Sequence, residues 1–190
     1  NNYSTEDFIL FYGGIIGHAQ GLEVILNAAK KLEDHKNIKF ILLGNGPEKE
    51  NLLKLKDNLN LTNLEFFDAV PKSQMQRIIT DTNASIIPLK RLDLFKGAIP
   101  SKIFENLALK KPIILGVEGE AEELFIKQGK CGVSFTPEDS EDLAKQILKL
   151  YNDRNLVAEL GENGLKYVSE NFNRDKIAKE FYSQISNLWK

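Results

Sequence analysis

Ser101, Lys102 and Glu105 are the residues whose types and spacing could do chemistry together. They sit in the stretch from Gly97 to Gly116, GAIPSKIFENLALKKPIILG, which reads as a loop, a helix and a buried strand. Pro100 fixes φ where the helix begins. The first turn leaves the backbone N–H groups of Ser101 and Lys102 without intrahelical partners. Free amides beside a lysine suit a phosphate. Glu105 follows Lys102 by about one helical turn and shares its surface. A cation with free amides, then a carboxylate, can hold a phosphate and next a sugar hydroxyl. The same spacing fits a solvated Lys–Glu pair on an ordinary helix, and spacing alone does not choose. Ile103, Phe104, Leu107 and Ala108 make the apolar stripe of this helix.

Gly13, Gly14 and Gly17 form a second cluster, directly after the apolar run FILFYG at residues 8–13. Glycines between a strand and a helix let a ligand approach the backbone. Their spacing is not G-x-G-x-x-G, and a plain tight turn fits them as well. His18 lies in this loop and is a candidate contact, whereas His35 sits in a charged helix end and reads as solvated. Cys131, the single cysteine, reads as a small buried side chain rather than a nucleophile. It excludes an internal disulfide framework and fits a reducing compartment. Glu118, Glu120, Glu122 and Glu123 read as a solvated acidic turn. The sequence holds no metal-ligand cluster, so no metal is expected.

The elements that must position these groups follow from apolar periodicity. Strands are predicted at 8–13, 38–44, 64–67, 84–89, 112–117 and 132–135. Helices are predicted between them. One starts near Gly21, and one follows Pro47, placed at its first position. Another has Ser73 as N-cap. A short one over 120–128 is closed by Gly129, and the next has Ser140 as N-cap. Two more are predicted near 153–170 and 174–189, the last capped by Asn173. Short apolar strands alternating with helices imply an α/β fold. It is a Rossmann-like, doubly wound, six-stranded parallel sheet with helices on both faces. Ligands of such sheets bind beyond the carboxyl ends of the strands. The loops Gly13–Gly17, Gly44–Pro47, Ala69–Ser73, 90–102 and Gly116–Glu120 all follow strands and should line one rim.

A chain of 190 residues suits one domain or one lobe of a larger enzyme. A net charge of −2 with no basic stripe argues against a nucleic-acid partner. No apolar run is long enough to span a bilayer, and no signal peptide is visible. The chain opens at Asn1 and runs almost at once into a strand, which reads as a cut at a domain boundary with an N-terminal part missing.

With these residues in hand, the chain resembles the C-terminal, donor-binding lobe of GT-B-fold glycosyltransferases of retaining family 4. The likeness rests on the glycine loop with QGLEVILNAAKKL, on LLGNGPEKENL, on FFDAVPKSQMQRIITDTNASIIPL and on PSKIFENLALKKPI, with EDLAKQILKLYND after them. The subgroup with PSK is similar to enzymes of bacterial surface-polysaccharide and capsule assembly. The resemblance implies a role for each matching position. Glu105 matches the second of the family's paired glutamates and would bind the donor ribose. The first falls at Gly97, a departure that removes its usual contact with the donor sugar. The diphosphate would meet Ser101, Lys102 and Gly14. The family's Lys-Gly pair is Gln20-Gly21 here, so Lys102, with Arg91 as a further cation, would replace the missing charge. Gly44, Val70, Pro71 and Lys72 would form the base loop. Gly97, Glu118, Gly119 and Glu120 would lie by the donor sugar.

The implied reaction moves a sugar from a nucleoside-diphosphate sugar to an acceptor hydroxyl with retention, without metal or other cofactor. The implied partners are the nucleotide sugar, an N-terminal lobe of the same full-length chain, and an acceptor sugar or lipid-linked saccharide. The implied place is the cytoplasm, at the inner face of the membrane. Residues 1–172 would form the donor-binding domain. Residues 173–190 would be a helix packing back on the other lobe through Ile177, Phe181, Ile185, Leu188 and Trp189. The chain alone would then bind a nucleotide sugar without transferring its sugar. Two alternatives stay open: a lobe of a sugar-nucleotide epimerase, which would need His18, and a nucleotide-binding module without catalysis.

Overall fold

The structure is a computed structural model that describes residues 3–188. Its strands are β1 (Phe8–Gly13), β2 (Ile38–Leu43), β3 (Leu64–Phe67), β4 (Ala84–Pro88), β5 (Ile113–Gly116) and β6 (Gly132–Ser134). They form one parallel sheet in the order β3-β2-β1-β4-β5-β6. β1 pairs with β2 from Phe8↔Ile38 to Gly13↔Leu43, and with β4 at Leu10↔Ala84 and Phe11↔Ser85. The winding reverses between β1 and β4. Their exit loops part company there, which opens a crevice at the carboxyl edge.

The helices are α1 (Glu23–Lys31), α2 (Lys49–Asn58), α3 (Lys72–Thr80), α4 (Lys102–Ala108), α5 (Ser140–Asn152), α6 (Arg154–Asn171) and α7 (Arg174–Leu188). β1 is apolar on both faces, and Phe8 to Tyr12 are all buried. This continuity is what a strand covered from both sides requires. On one face Leu10, Phe40, Leu42, Ile86 and Ile114 pack under Ile25 of α1, Leu52 of α2 and Leu143 and Ile147 of α5. The other face carries two patches. Ile9, Phe11, Ile41 and Leu43 lie under Ile79 of α3. Ile87, Ile113 and Leu115 lie under Ile103 and Leu107 of α4, Phe125 and Val168. Phe104 of α4 stands edge-on to Phe125 and Phe172, with ring centroids 5.5 and 5.1 Å away, which seats α4 against the end of α6.

The predicted fold class and the sequence order of strands and helices are observed, and the boundaries shift for identifiable reasons. Asp139, not Ser140, caps α5: its carboxylate accepts from the amides of Glu141 and Asp142 at 2.9 and 3.0 Å. Ser140 is already helical. Ser73 is likewise inside α3, because extended Pro71 (ψ 145°) marks the boundary one residue before the helix starts. Pro47 precedes α2 by a turn. Glu48 gives its N–H to the carbonyl of Ile16 (3.1 Å), so the helix starts only at Lys49. Glu122–Gln128 is π-helical rather than α-helical. Gly129 closes it without a left-handed backbone (φ −77°), and Lys130 takes that conformation instead. Glycine is required at 129 for space, since a Cβ would stand 2.6 Å from the Cys131 Sγ and 2.7 Å from the Tyr167 ring. Asn173 caps α7 as predicted, accepting from Asp175 and Lys176 amides at 3.0 and 3.1 Å. Trp189 and the side chain of Leu188 lie outside the described residues.

Candidate functional site

Lys102 opens α4 at the crevice between β1 and β4. Its ammonium lies over the ring of Tyr12, 4.1 Å from the centroid. Tyr12 is buried at the end of β1 and donates its hydroxyl to the carbonyl of Ile15 at 2.6 Å, which holds the glycine loop above it. Gly14 turns away with φ 140°, and a Cβ on it would stand 3.0 Å from the Lys102 Nζ. The glycine therefore makes room for the cation. Lys102 has no carboxylate partner within salt-bridge distance among the described residues. Burial lowers its pKa to about 8, against a smaller upward pull from the Glu105 carboxylate. A partly desolvated ammonium beside a glycine turn has the chemistry to attract an anion.

The amides of Ile103 and Phe104 bond to the carbonyls of Pro100 and Ser101 at 3.0 and 3.2 Å. Those of Ser101 and Lys102 meet no acceptor among the described residues. Ser101 is exposed and makes no side-chain cap. α4 has only 7 residues, so its dipole is short and the Lys102 charge carries most of the attraction. Glu105 stands one turn on, half exposed, with its Oε1 3.9 Å from the Nζ of Lys72. That pair is loose and leaves the carboxylate free to accept from hydroxyls.

The loops after β1, β2 and β3 are locked together. Gly14 N–H donates to Leu43 O at 2.9 Å, Ile16 N–H to Asn45 O at 3.0 Å, and Gly44 N–H to Phe67 O at 3.0 Å. A Cβ on Gly44, where φ is 155°, would stand 1.8 Å from the carbonyl oxygen of Gly14. Gly44 is thus needed to seat one loop on the other. Lys49 ties the loops after β2 and β3, reaching Gly44 O at 3.1 Å, Asn45 Oδ1 at 3.0 Å and Asp68 Oδ1 at 2.6 Å. His18 turns to Glu48, 3.0 Å away. Gly44→Ala is expected to cost at least about 2 kcal/mol, a fall of roughly 4–8 °C in melting temperature for a chain of this size. Gly97→Ala should leave it unchanged, because nothing lies within 4 Å of a Cβ there. Equal thermal denaturation of the two variants would contradict the packed-loop geometry.

Other predicted residues gather in a second group. Arg91 pairs with Glu118 at 3.2 Å and gives its N–H to Glu138 at 2.9 Å; Lys96 pairs with Asp93 at 2.8 Å. Arg91, Asp93, Lys96 and Glu118, with Lys90, Val117 and Pro137, line a cavity of about 430 Å³. Gly14, Ser101 and Lys102 are not part of its lining. Gly119 (φ 90°) abuts the Lys96 carbonyl, and Glu120 is exposed beside it. Gly97 is exposed, with nothing within 4 Å of the place a Cβ would take. Val70 is half-buried under α3, and Pro71 and Lys72 are exposed. Among the described residues no three His, Cys, Asp or Glu side chains group as metal ligands. Burial pushes the Cys131 thiol up to about 12, the behaviour of an inert core cysteine. Sequence reasoning missed Tyr12 and Lys49. An aromatic two residues before a glycine turn was a usable signal for the first, and a lysine after a Gly-Pro turn for the second.

The sequence and the fold both match known proteins. The family model for glycosyl transferases group 1 matches residues 1–167. The chain is 30% identical over 165 residues to the uncharacterized glycosyltransferase MJ1069 of Methanocaldococcus jannaschii, covering 85% of this chain and 41% of that protein. It is 26% identical over 191 residues to the capsular polysaccharide biosynthesis glycosyltransferase CapM of Staphylococcus aureus, covering 98% and 48%. Its fold matches the crystal structure of Anabaena Alr3699/HepE in complex with UDP and glucose with a TM-score of 0.80 at 17% identity, covering 96% of this chain and 49% of that one. The chain spans less than half the length of each of these proteins. A family match that runs from the first residue to within the last turns of α6, over the whole sheet and its rim, makes this chain a member of the group 1 glycosyl transferases.

Proposed function

We propose that this chain is the donor-binding lobe of a retaining, family 4 glycosyltransferase acting in surface-polysaccharide assembly. The observation that carries the reading is the Lys102 ammonium, poised over Tyr12 beside Gly14 with no carboxylate partner among the described residues. The donor diphosphate lies there, on the open amides of Ser101 and Lys102. Glu105 accepts from the ribose hydroxyls. The base rests on the loops of Gly44 and Val70–Lys72. The donor sugar extends towards Gly97 and the Glu118–Glu120 loop. Arg91 serves the donor less directly than Lys102, since it is engaged with Glu118. As the sugar leaves, charge builds on the diphosphate. A fixed ammonium and amides stabilise that charge without reorganising, which is worth a few kcal/mol of barrier, roughly 3–4.

The sheet supplies one wall of a cleft. A second lobe carries the acceptor site, and the acceptor is a saccharide or lipid-linked saccharide at the inner face of the membrane. The exposed α7 residues Ile177, Phe181 and Ile185 are the surface offered to that lobe. The epimerase alternative loses its histidine, because His18 is 74% exposed and spent on Glu48.

The test is a thermal-shift panel of UDP, GDP, ADP and their common sugar conjugates, started with UDP because HepE was crystallised with it. A ligand at a hundred times its Kd adds about 2.7 kcal/mol, or roughly 5–11 °C here. One nucleoside diphosphate should reach that shift while its nucleoside gives much less. No shift from any of them would remove the donor-site reading.

A further inference from the structure

α4 carries both Lys102 and Glu105, yet it is only 7 residues long. Its grip on the sheet is mostly apolar, through Ile103 and Leu107. Apolar contacts are not directional, so they specify a register less sharply than a buried hydrogen bond does. One polar node interrupts this interface. Asn106 is 3% exposed and faces β4, where Ser85 is 2% exposed. Ser85 Oγ donates to Asn106 Oδ1. Asn106 Nδ2 donates to the carbonyl of Lys102 at 2.7 Å. The Asn106 carbonyl takes the amides of Leu109 and Lys111, both at 3.0 Å, and so closes the helix. Ser85 is itself fixed, giving its N–H to Pro112 O at 3.0 Å and pairing with Ile113 of β5. A continuous polar path therefore runs from β5 through Ser85 and Asn106 to the backbone of Lys102.

We propose that Asn106 is the positioning residue of this site. Its amide locks α4 to β4 at the one register that sets Lys102 over the Tyr12 ring and Glu105 on the rim. A buried hydrogen-bonded pair suits this task, since any slide leaves both partners unsatisfied in an apolar interface. An apolar residue would pack there but would leave the register free. The role bears on function only through the donor-site reading above, on which it rests.

The experiment reads Lys102 directly and needs no ligand. The chain is prepared with 13Cε-labelled lysine, and the Lys102 signal is assigned with Lys102→Arg. In the parent, the Lys102 ε-protons should be shifted upfield by the Tyr12 ring, with a titration midpoint below those of the exposed lysines. Asn106→Ala and Ser85→Ala should each move both readouts more than halfway to the exposed lysines while circular dichroism shows an intact fold. The double variant should add nothing, because both act on one link. Ser85→Thr, which keeps the hydroxyl, should retain the parent signal. A folded Asn106→Ala with Lys102 signals unmoved would overturn the proposal. If Asn106→Ala does not fold, Ser85→Ala decides by the same criterion. UDP titration of the parent separates the two ideas. Signals that move in Asn106→Ala, in a parent that binds no diphosphate, would uphold the positioning role and sink the donor site.

Discussion

Lys102→Met is expected to raise the melting temperature at neutral pH while removing most of the affinity for a nucleoside diphosphate. The two effects share one cause. Burial against Tyr12 and Gly14 disfavours the ammonium and lowers its pKa to about 8. The unfolded chain keeps the ordinary lysine value, so between about 8 and the ordinary range it binds more protons than the folded chain. Stability rises with pH across that window, and below it the cost of the buried charge is fully present. Methionine fills similar space without charge and relieves that cost, less the cation–π contact it gives up. A gain of about 1 kcal/mol, or roughly 2–4 °C, is expected at pH 7, shrinking as pH approaches the lysine range. Losing a charge-assisted hydrogen bond of about 1.5–3 kcal/mol weakens diphosphate binding roughly ten- to a hundredfold. The nucleoside should bind about as before. In the parent, an anion stabilises the charged form, so binding takes up protons and affinity falls as pH rises through about 8. Calorimetry in two buffers of different ionisation enthalpy, beside melting curves against pH, reads all of this. Equal losses for nucleoside and diphosphate would show that Lys102 acts on stability alone.

Glu105→Gln should weaken nucleoside and diphosphate alike, by roughly tenfold or more, because a hydrogen bond to a charged acceptor is worth about 1.5–3 kcal/mol. The carboxylate is half exposed and its Lys72 pair spans 3.9 Å, so little in the protein competes with hydroxyls for it. The fold should tolerate the change, since such a pair contributes at most about 1 kcal/mol. A ligand without ribose hydroxyls gives the control. The 2′,3′-dideoxynucleotide should bind the parent and Glu105→Gln equally. A loss of the same size for the dideoxynucleotide would take Glu105 off the ribose.

The architecture was legible because it follows from apolar runs. FILFY, IKFILL and IILG are near-continuous, and only a sheet covered on both faces buries them. Ser101, Lys102 and Glu105 were legible for a similar reason, since helix geometry alone puts them on one turn. What stayed hidden depends on partners distant in sequence. Tyr12 lies beneath Lys102 only because β1 and β4 are adjacent where the sheet reverses. The apolar stripe of α4 was drawn through Ala108, yet Ala108 is exposed and polar Asn106 is buried in its stead. The hydroxyl of Ser85 makes that burial possible, and nothing local to α4 announces it. Gly44 read as a turn residue of the rim, and its second task, seating that loop on the Gly14 carbonyl, depends on a partner thirty residues away and is not visible locally. Arg91 read as a second, weaker candidate after Lys102; it pairs with Glu118 and lines the neighbouring cavity, a placement that no local pattern announces.

The donor diphosphate is expected to sit on Lys102 at the junction of β1 and β4. A crystal structure of this chain with the nucleoside diphosphate that most raises its melting temperature tests it most directly. The phosphate oxygens should lie within hydrogen-bond distance of the Lys102 Nζ and the amides of Ser101 and Lys102, with the ribose hydroxyls on Glu105. Phosphates seated instead among Arg91, Lys96 and Glu118, with the Lys102 ammonium untouched, would contradict it.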